Sequence, residues 1–290
     1  MRNLTAELAD YVLPATDRLQ REDVNFSQNG WQVRQPYVQF TEAIAQPAAD
    51  RREDWWIISR LCQELEVPSL LDDPDAAQDG FANINGMLAG ANLTLEQIES
   101  APQHVVALEP EPYDALFERC LQHPDKKIDC CPQIYAESGL FERCETIFNE
   151  LENEADDTLK LISLRTIYMH NSWMANAPTL HKGVQSYNPL HMCGADAQAR
   201  GLHDGETVSV HNEYGRVETI LRIDDNMRKG AVAMTHGYGN RQAHGMKIAA
   251  DRPGANCNQL MPTTLDSVEP LSYMSWMTAV PVSVDKLERH

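Results

Sequence analysis

After Leu159 the sequence breaks into short β-type runs separated by turn residues, and this rhythm limits the possible folds more than any other feature. Leu159 and Leu161 alternate with polar neighbours. Val208 and Val210 face one way, while Thr207, Ser209 and His211 face the other, which is the two-residue period of a strand. Asn212 to Gly215 closes a hairpin, with Gly215 expected to supply a positive φ. Val217 to Ile223 is the return strand. Asp224, Asp225 and Asn226 then turn the chain, Lys229–Gly230 turns it again, and Ala231 to Thr235 reads as a buried strand. Val280 to Val284 reads as a last, closing strand. Strands this short and closely spaced indicate a small barrel or a sandwich, and periodicity does not choose between them. Within this region Asp196 is placed to cap a short helix that runs through Arg200 and stops at Gly201.

The first half has a different texture. Met1 to Pro14 reads as a short helix or coil leading into a strand at Tyr11–Leu13, and Pro14 stops it. Asp17 to Val38 reads as surface loop, with Trp31 as its aromatic anchor and Asn29–Gly30 as a turn. Asp50 and Glu53 form a possible capping box for a helix to Val67, with Trp55, Ile58, Leu61, Cys62 and Leu65 on one buried face. Thr94 with Gln97 caps a second helix, and Pro112 is placed to start a third along Leu116, Phe117, Cys120 and Leu121. Leu140, Phe141, Cys144, Ile147, Phe148 and Leu151 mark an amphipathic helix. The acidic run Glu150 to Asp157 reads as a solvated boundary. The expected architecture is an α/β segment over 1–157, followed by a mainly β domain over 158–290.

Composition excludes several partners. The chain has 290 residues and a formal net charge of −19, which disfavours nucleic acid and anionic membrane surfaces. It has no apolar run near the ~20 residues of a membrane span, and no basic-then-apolar start, so direct membrane insertion is not expected. Its seven cysteines are scattered and form no CxxC pair, which fits a reducing, cytoplasmic setting and argues against a zinc ribbon. The adjacent Cys130 and Cys131 have no further ligand at metal spacing and read as packing.

The chemistry gathers in Leu164–Leu180, LRTIYMHNSWMANAPTL. A short apolar run turns abruptly polar at His170, Asn171 and Ser172, and then come Trp173, Asn176 and Pro178. Carboxamides donate and accept, and an indole offers a flat apolar face with one N–H. That mix suits the edge and face of a planar heterocycle such as a pterin or guanine. The same residues also stabilise turns through their own backbone. Downstream, His236-Gly237-Tyr238-Gly239-Asn240 lacks both the Lys-Ser/Thr of a P-loop and the dinucleotide glycine spacing, but its glycines permit close approach of a flat ligand. Gly254-Ala255-Asn256-Cys257-Asn258 puts Asn256 and Asn258 among small residues, suited to gripping a ring edge. Cys257 reads as a small spacer.

These strings, in this order, resemble the molybdopterin oxidoreductases of the dimethyl sulfoxide reductase and formate dehydrogenase superfamily. HNSWMANAPTL is similar to that family's cofactor-binding segment. NPLHMCGADAQARGLHDGETVSVHNEYGRVE is similar to its dinucleotide-binding domain, AMTHGYG and GANCNQLMP to later cofactor contacts, and LADYVLPAT to the end of a Rossmann-like domain. The resemblance implies a double-psi β-barrel of the aspartate-decarboxylase type over 158–290, and the remainder of a Rossmann-like α/β domain with helical insertions over 1–157. It implies bis-molybdopterin guanine dinucleotide carrying molybdenum or tungsten. That cofactor would be held by Asn171, Ser172, Trp173, Asn176 and His170, with His236, Gly237, Asn256 and Asn258 next. No catalytic residue and no metal ligand is assigned within the chain.

MRNLTAELADYVLPAT enters in what resembles the middle of a family domain, so the start is expected to be truncated. Any iron–sulfur cluster and the metal ligand would then lie outside this chain, in a missing N-terminal part or a partner subunit. The chain alone would be inactive, and its role would be to hold the cofactor. Two alternatives stand beside this reading. One is a free-standing, non-catalytic cofactor-binding module of a split enzyme. The other is an unrelated barrel enzyme using His170, His236 or Asp196, which no nucleophile–base spacing supports.

Overall fold

The computed structural model of the protein describes residues 4–25, 35–69, 88–110, 112–155, 157–181, 187–241, 243 and 245–287. Trp31 and the Asn29–Gly30 turn expected from the sequence lie outside them. The chain divides into two compact units, Asp10–Ile128 and Asp129–His290, the latter with Met1–Ala9.

In Asp10–Ile128, strands β1 (Asp23–Val24), β2 (Tyr37–Thr41) and β3 (Val105–Ala107) pair antiparallel in that order. Alternate residues of β2, Val38 and Phe40, are buried with Val24, Leu88 and Ile98. The described strands of this unit contain no parallel pair. The Thr94–Gln97 capping box is present. Thr94 N–H donates to Gln97 Oε1 at 2.9 Å, and Gln97 N–H donates to Thr94 Oγ1 at 3.3 Å.

Three other expectations change. The helix expected from Asp50 spans Asp54–Glu64, and Glu53 makes no side-chain cap. The Glu53 carboxylate instead accepts from the Trp55 indole N–H at 2.6 Å. Its stripe is not buried, since Ile58, Leu61 and Leu65 are all exposed. Tyr11–Leu13 forms no strand and is exposed too.

In Asp129–His290 the helix Leu140–Glu152 forms as its period requires, yet Phe148 and Leu151 face solvent. The rest builds a closed barrel from β4 (Leu159–Leu164), β5 (Leu190–Met192), β6 (Thr207–His211), β7 (Arg216–Ile223), β8 (Ala231–Thr235) and β9 (Val280–Lys286). The order around it is β4–β8–β5–β7–β6–β9. Strands β4 and β8 pair in parallel, as do β5 and β7, and every other pairing is antiparallel. Two parallel pairs interleaved in one closed barrel are the arrangement of a double-psi fold. The core joins Leu159, Leu161, Leu190, Met192, Val210 and Leu221, with Val232 and Met234 from β8. Closure leaves no unpaired sheet edge, which would otherwise template association. Strand β9 completes it by pairing with β4 on one side and β6 on the other.

Two local readings are corrected here. Gly215 is not among the positive-φ glycines. The Asn212 carboxamide oxygen closes the hairpin by accepting from Tyr214 N–H at 3.0 Å and Gly215 N–H at 3.1 Å. Gly215 is required for space, because a Cβ there would overlap the Gln259 carbonyl oxygen. Asp196 lies inside the helix Gly194–Ala199, whose N-cap is Cys193. Its buried carboxylate accepts from Gly230 N–H at 2.7 Å and from the Cys193 thiol at 3.2 Å, so it fastens the turn that feeds β8.

Candidate functional site

Parallel pairing sends β4 and β8 out of the same end of the barrel, and the segments that follow them meet there. After β4 the chain buries Met169 and Ala175, and holds His170 (φ 43°) and Asn171 (φ 63°) in the left-handed region. Asparagine enters that region more readily than other side chains do. After β8 comes His236. Its Nε2 lies 3.1 Å from Asn171 Oδ1, and its Nδ1 lies 3.0 Å from the Ser163 hydroxyl on β4.

Glycines let these segments touch. A Cβ on Gly237 (φ +92°) would overlap the Asn171 carbonyl oxygen, and one on Gly239 (φ +102°) would overlap the Asn256 side chain. The space these glycines open is therefore filled by neighbouring protein loops. A third tie comes from Asn188, which is fully buried. Its amide donates to Thr235 O at 2.7 Å and Ala255 O at 2.8 Å, while its oxygen accepts from Ala255 N–H at 2.8 Å. One carboxamide thus joins the end of β8 to the Gly254–Asn258 segment.

The nine residues singled out in the sequence fare differently. His236, Asn171 and Gly237 come together. Asn171, Ser172 and Asn258 are exposed. Trp173 is exposed as well, edge-on to His170 at 6.1 Å between ring centres. Asn176 has its oxygen engaged, accepting from Ile248 N–H at 3.0 Å and Ala249 N–H at 3.4 Å, so it starts the helix Lys247–Asp251. Asn256 Oδ1 accepts from Asn258 N–H at 3.2 Å, capping the turn Cys257–Leu260. Burial pushes the Cys257 thiol up to about 11, which keeps it a protonated spacer and not a thiolate. Burial, helped by the Arg165 charge, holds the His236 imidazole below its usual range, so the ring is neutral near pH 7.

A cleft of about 450 Å³ opens beside these segments. Tyr168, Tyr187 and Tyr238 line it, with Thr166, Arg222 and the His191–Asp224 pair (3.4 Å) supplying polar groups. Thr166 Oγ1 is shielded from solvent and has no hydrogen-bond partner among the described residues. Ser163, Thr166, Asn188 and Arg222 were not singled out from the sequence. Nothing local to Asn188–Pro189 marks a buried carboxamide. The donor set fits a planar heteroaromatic ligand bearing phosphates. It provides aromatic walls, a cation and an orphan hydroxyl, with exposed carboxamide and hydroxyl groups nearby at Asn171 and Ser172.

The fold and this site define a cofactor-binding barrel. Residues 159–273 match the family described as "Molydopterin dinucleotide binding domain". The chain as a whole resembles the C-terminal part of molybdopterin oxidoreductases of the dimethyl sulfoxide reductase and formate dehydrogenase superfamily. It is 22% identical over 240 residues to acetylene hydratase of Syntrophotalea acetylenica, covering 80% of this chain and 31% of that protein. It is 24% identical over 260 residues to trimethylamine-N-oxide reductase of Haemophilus influenzae, again covering 80% and 31%. A shorter stretch of 64 residues is 38% identical to dimethyl sulfoxide/trimethylamine N-oxide reductase of Rhodobacter capsulatus, covering 21% of this chain and 8% of that one. The solved structure of acetylene hydratase from Pelobacter acetylenicus superposes with a TM-score of 0.68 at 18% identity, over 98% of this chain and 39% of that one. The chain spans between 21% and 32% of the length of curated relatives that match most of it. Among the described residues no helix is long and apolar enough to cross a membrane.

Proposed function

We propose that this chain holds bis-molybdopterin guanine dinucleotide, carrying molybdenum or tungsten, as the C-terminal portion of a cytoplasmic oxidoreductase. Residues 158–290 are the cofactor domain, and 1–157 belong to the Rossmann-like α/β region that joins it to the rest of the enzyme. The metal ligand and any iron–sulfur cluster come from that remaining part or from a partner subunit. The observation that carries this reading is the meeting of the 170–176, 236–239 and 254–258 segments at one end of the barrel, beside the tyrosine-lined cleft.

Asn171, Ser172 and Asn258 offer exposed polar groups to a ring edge or phosphate, and the Trp173 indole offers an exposed face. His170, His236 and Gly237 shape the segment that presents them. Asn176 and Asn256 keep their amide N–H groups for the ligand while their oxygens hold the backbone. When bound, the cofactor's metal supplies two-electron exchange of an oxygen atom or hydride with substrate. The protein contributes binding and orientation.

Asn176 provides the test. Asn176→Ala removes a helix cap together with the amide donor, so its effects are mixed. Asn176→Asp keeps the accepting oxygen and removes only the donor. In the protein purified with its native partners, Asn176→Asp is expected to lower metal and pterin content without lowering the melting temperature. Unchanged cofactor content would defeat the assignment of Asn176, and absence of pterin from the wild type would defeat the proposal itself.

A further inference from the structure

We infer that His236 is a positioning residue that fixes the Asn171 carboxamide with its oxygen inward and its NH₂ outward, so that this position takes an acceptor edge of the ligand. The inference rests on the cofactor reading above for the identity of that ligand.

The geometry is closed on three sides. The Asn171 backbone is held in the left-handed region at φ 63°. Its carbonyl oxygen packs directly on Gly237, at a place where no side chain fits. Its side-chain oxygen meets His236 Nε2 at 3.1 Å. An amide oxygen has no proton to give, so Nε2 carries the hydrogen. In a neutral ring Nδ1 is then bare, and the Ser163 hydroxyl 3.0 Å away donates to it. The chain of donors thus runs Ser163 O–H to Nδ1, and Nε2–H to Asn171 Oδ1. Ser163 sits on β4 beside Met234 of β8, so the relay is anchored across the parallel pair.

With its oxygen engaged, Asn171 has two N–H donors to offer and no acceptor aimed at the ligand. A ring carbonyl, an unprotonated ring nitrogen or a phosphate oxygen satisfies it. A ring N–H or exocyclic amine does not. The opposite tautomer would reverse every donor in the relay and turn the Asn171 oxygen outward. The proton on one imidazole nitrogen therefore sets which edge of the cofactor is accepted.

The proton is directly observable. In the full chain with ¹⁵N-labelled imidazoles, two-bond ¹H–¹⁵N correlation separates the two tautomers, and His236→Gln identifies the relevant signal by its loss. At about pH 7.5, above the ordinary histidine range, the expected pattern is protonated Nε2 and bare Nδ1. A neutral ring protonated on Nδ1 would overturn the inference.

A second arm reads the ligand. Asn171→Asp keeps an acceptor for Nε2–H but has no outward donor. Cofactor release on dilution of the native complex is expected to speed about fivefold, the worth of one hydrogen bond, as it does for Asn171→Ala. Release as slow as wild type in Asn171→Asp, but fast in Asn171→Ala, would overturn the outward donor. Slow release in both would mean that Asn171 does not touch the cofactor and would overturn the inference, whereas absence of pterin from the wild-type complex would defeat the cofactor reading on which it rests. His236→Gln, whose amide still donates to Asn171, is expected to hold cofactor longer than His236→Ala, and equal release in the two would contradict a positioning role.

Discussion

Asn188 gives the sharpest energetic prediction. Its side chain makes three hydrogen bonds at 2.7–2.8 Å and is 1% exposed. Asn188→Ala removes all three and leaves Thr235 O, Ala255 O and Ala255 N–H without that partner. Each bond contributes about 1 kcal/mol net, and a buried group left unpaired adds to this, so the expected loss is about 3–4 kcal/mol. The bond from Thr219 Oγ1 to the Asn188 carbonyl oxygen survives, because it uses the backbone. Asn188→Asp is a second probe. It keeps an acceptor for Ala255 N–H but turns a carboxylate toward two carbonyl oxygens in a buried place, and should cost at least as much. Urea unfolding gives the free energy, and hydrogen exchange of the β8 amides shows whether the loosening is local. A loss below about 1 kcal/mol in Asn188→Ala would refute the clamp, since that is the size of an ordinary surface change.

Glycine replacements give a graded set of outcomes. Gly237→Ala combines a positive φ with overlap on Asn171, and should cost roughly 2–3 kcal/mol and disturb the His236 signal. Gly215→Ala has ordinary φ but meets the Gln259 carbonyl, and should cost about 1–3 kcal/mol, whereas Gly205→Ala meets nothing within 4 Å and should cost only the smaller strain of its φ of +81°. Melting temperatures that rank Gly205→Ala worst would contradict these contacts. Asp196→Ala should cost about 2–4 kcal/mol through the lost Gly230 bond, with Asp196→Asn recovering much of it because an amide oxygen still accepts. For His236 the sign runs toward acid. The folded pKa is depressed, so the unfolded chain takes up its proton first, below about pH 6.5. The stability this group contributes is present above that value and lost as pH falls toward the folded pKa. His236→Gln should flatten stability measured across that window.

The strands of the barrel were legible in the sequence because their signals are local, whereas their closure into a barrel and not a sandwich was implied only by the family resemblance. Val208 and Val210 alternate with polar neighbours, and Ala231 to Thr235 is bounded by turns. Ser209 shows the limit of that signal. It was placed on the polar face, yet it is buried, because alternation reports the pleat and not what covers each side. The same limit explains the helices. The period at Leu140–Glu152 fixed a face, but Phe148 on that face is exposed. Of the candidate site, the polar segment after β4 was visible as an abrupt change in chemistry. The His236–Asn171 contact joins residues 65 apart, and the Asn188–Ala255 contact joins residues 67 apart. Such pairs leave no mark on either local stretch. Gly237 and Gly239 were noticed as room for a flat ligand, and the space that a Cβ would take on each is occupied by Asn171 and Asn256.

The closing strand carries a consequence for how this barrel is made. Strand β4 pairs with β8, whose Ala231 meets Lys160, and with β9, whose Val282 meets Leu159. Neither partner has emerged when β4 leaves the ribosome. The first strand must therefore wait through most of the domain's synthesis with its Leu159 and Leu161 side chains uncovered. Contacts this distant in sequence fold slowly, since loop closure is entropically costly before any pairing offsets it. Nascent chains halted between β8 and β9 should expose an unpaired edge on both β4 and β6. Such chains are prime targets for chaperones and for edge-to-edge aggregation until residues 280–286 arrive.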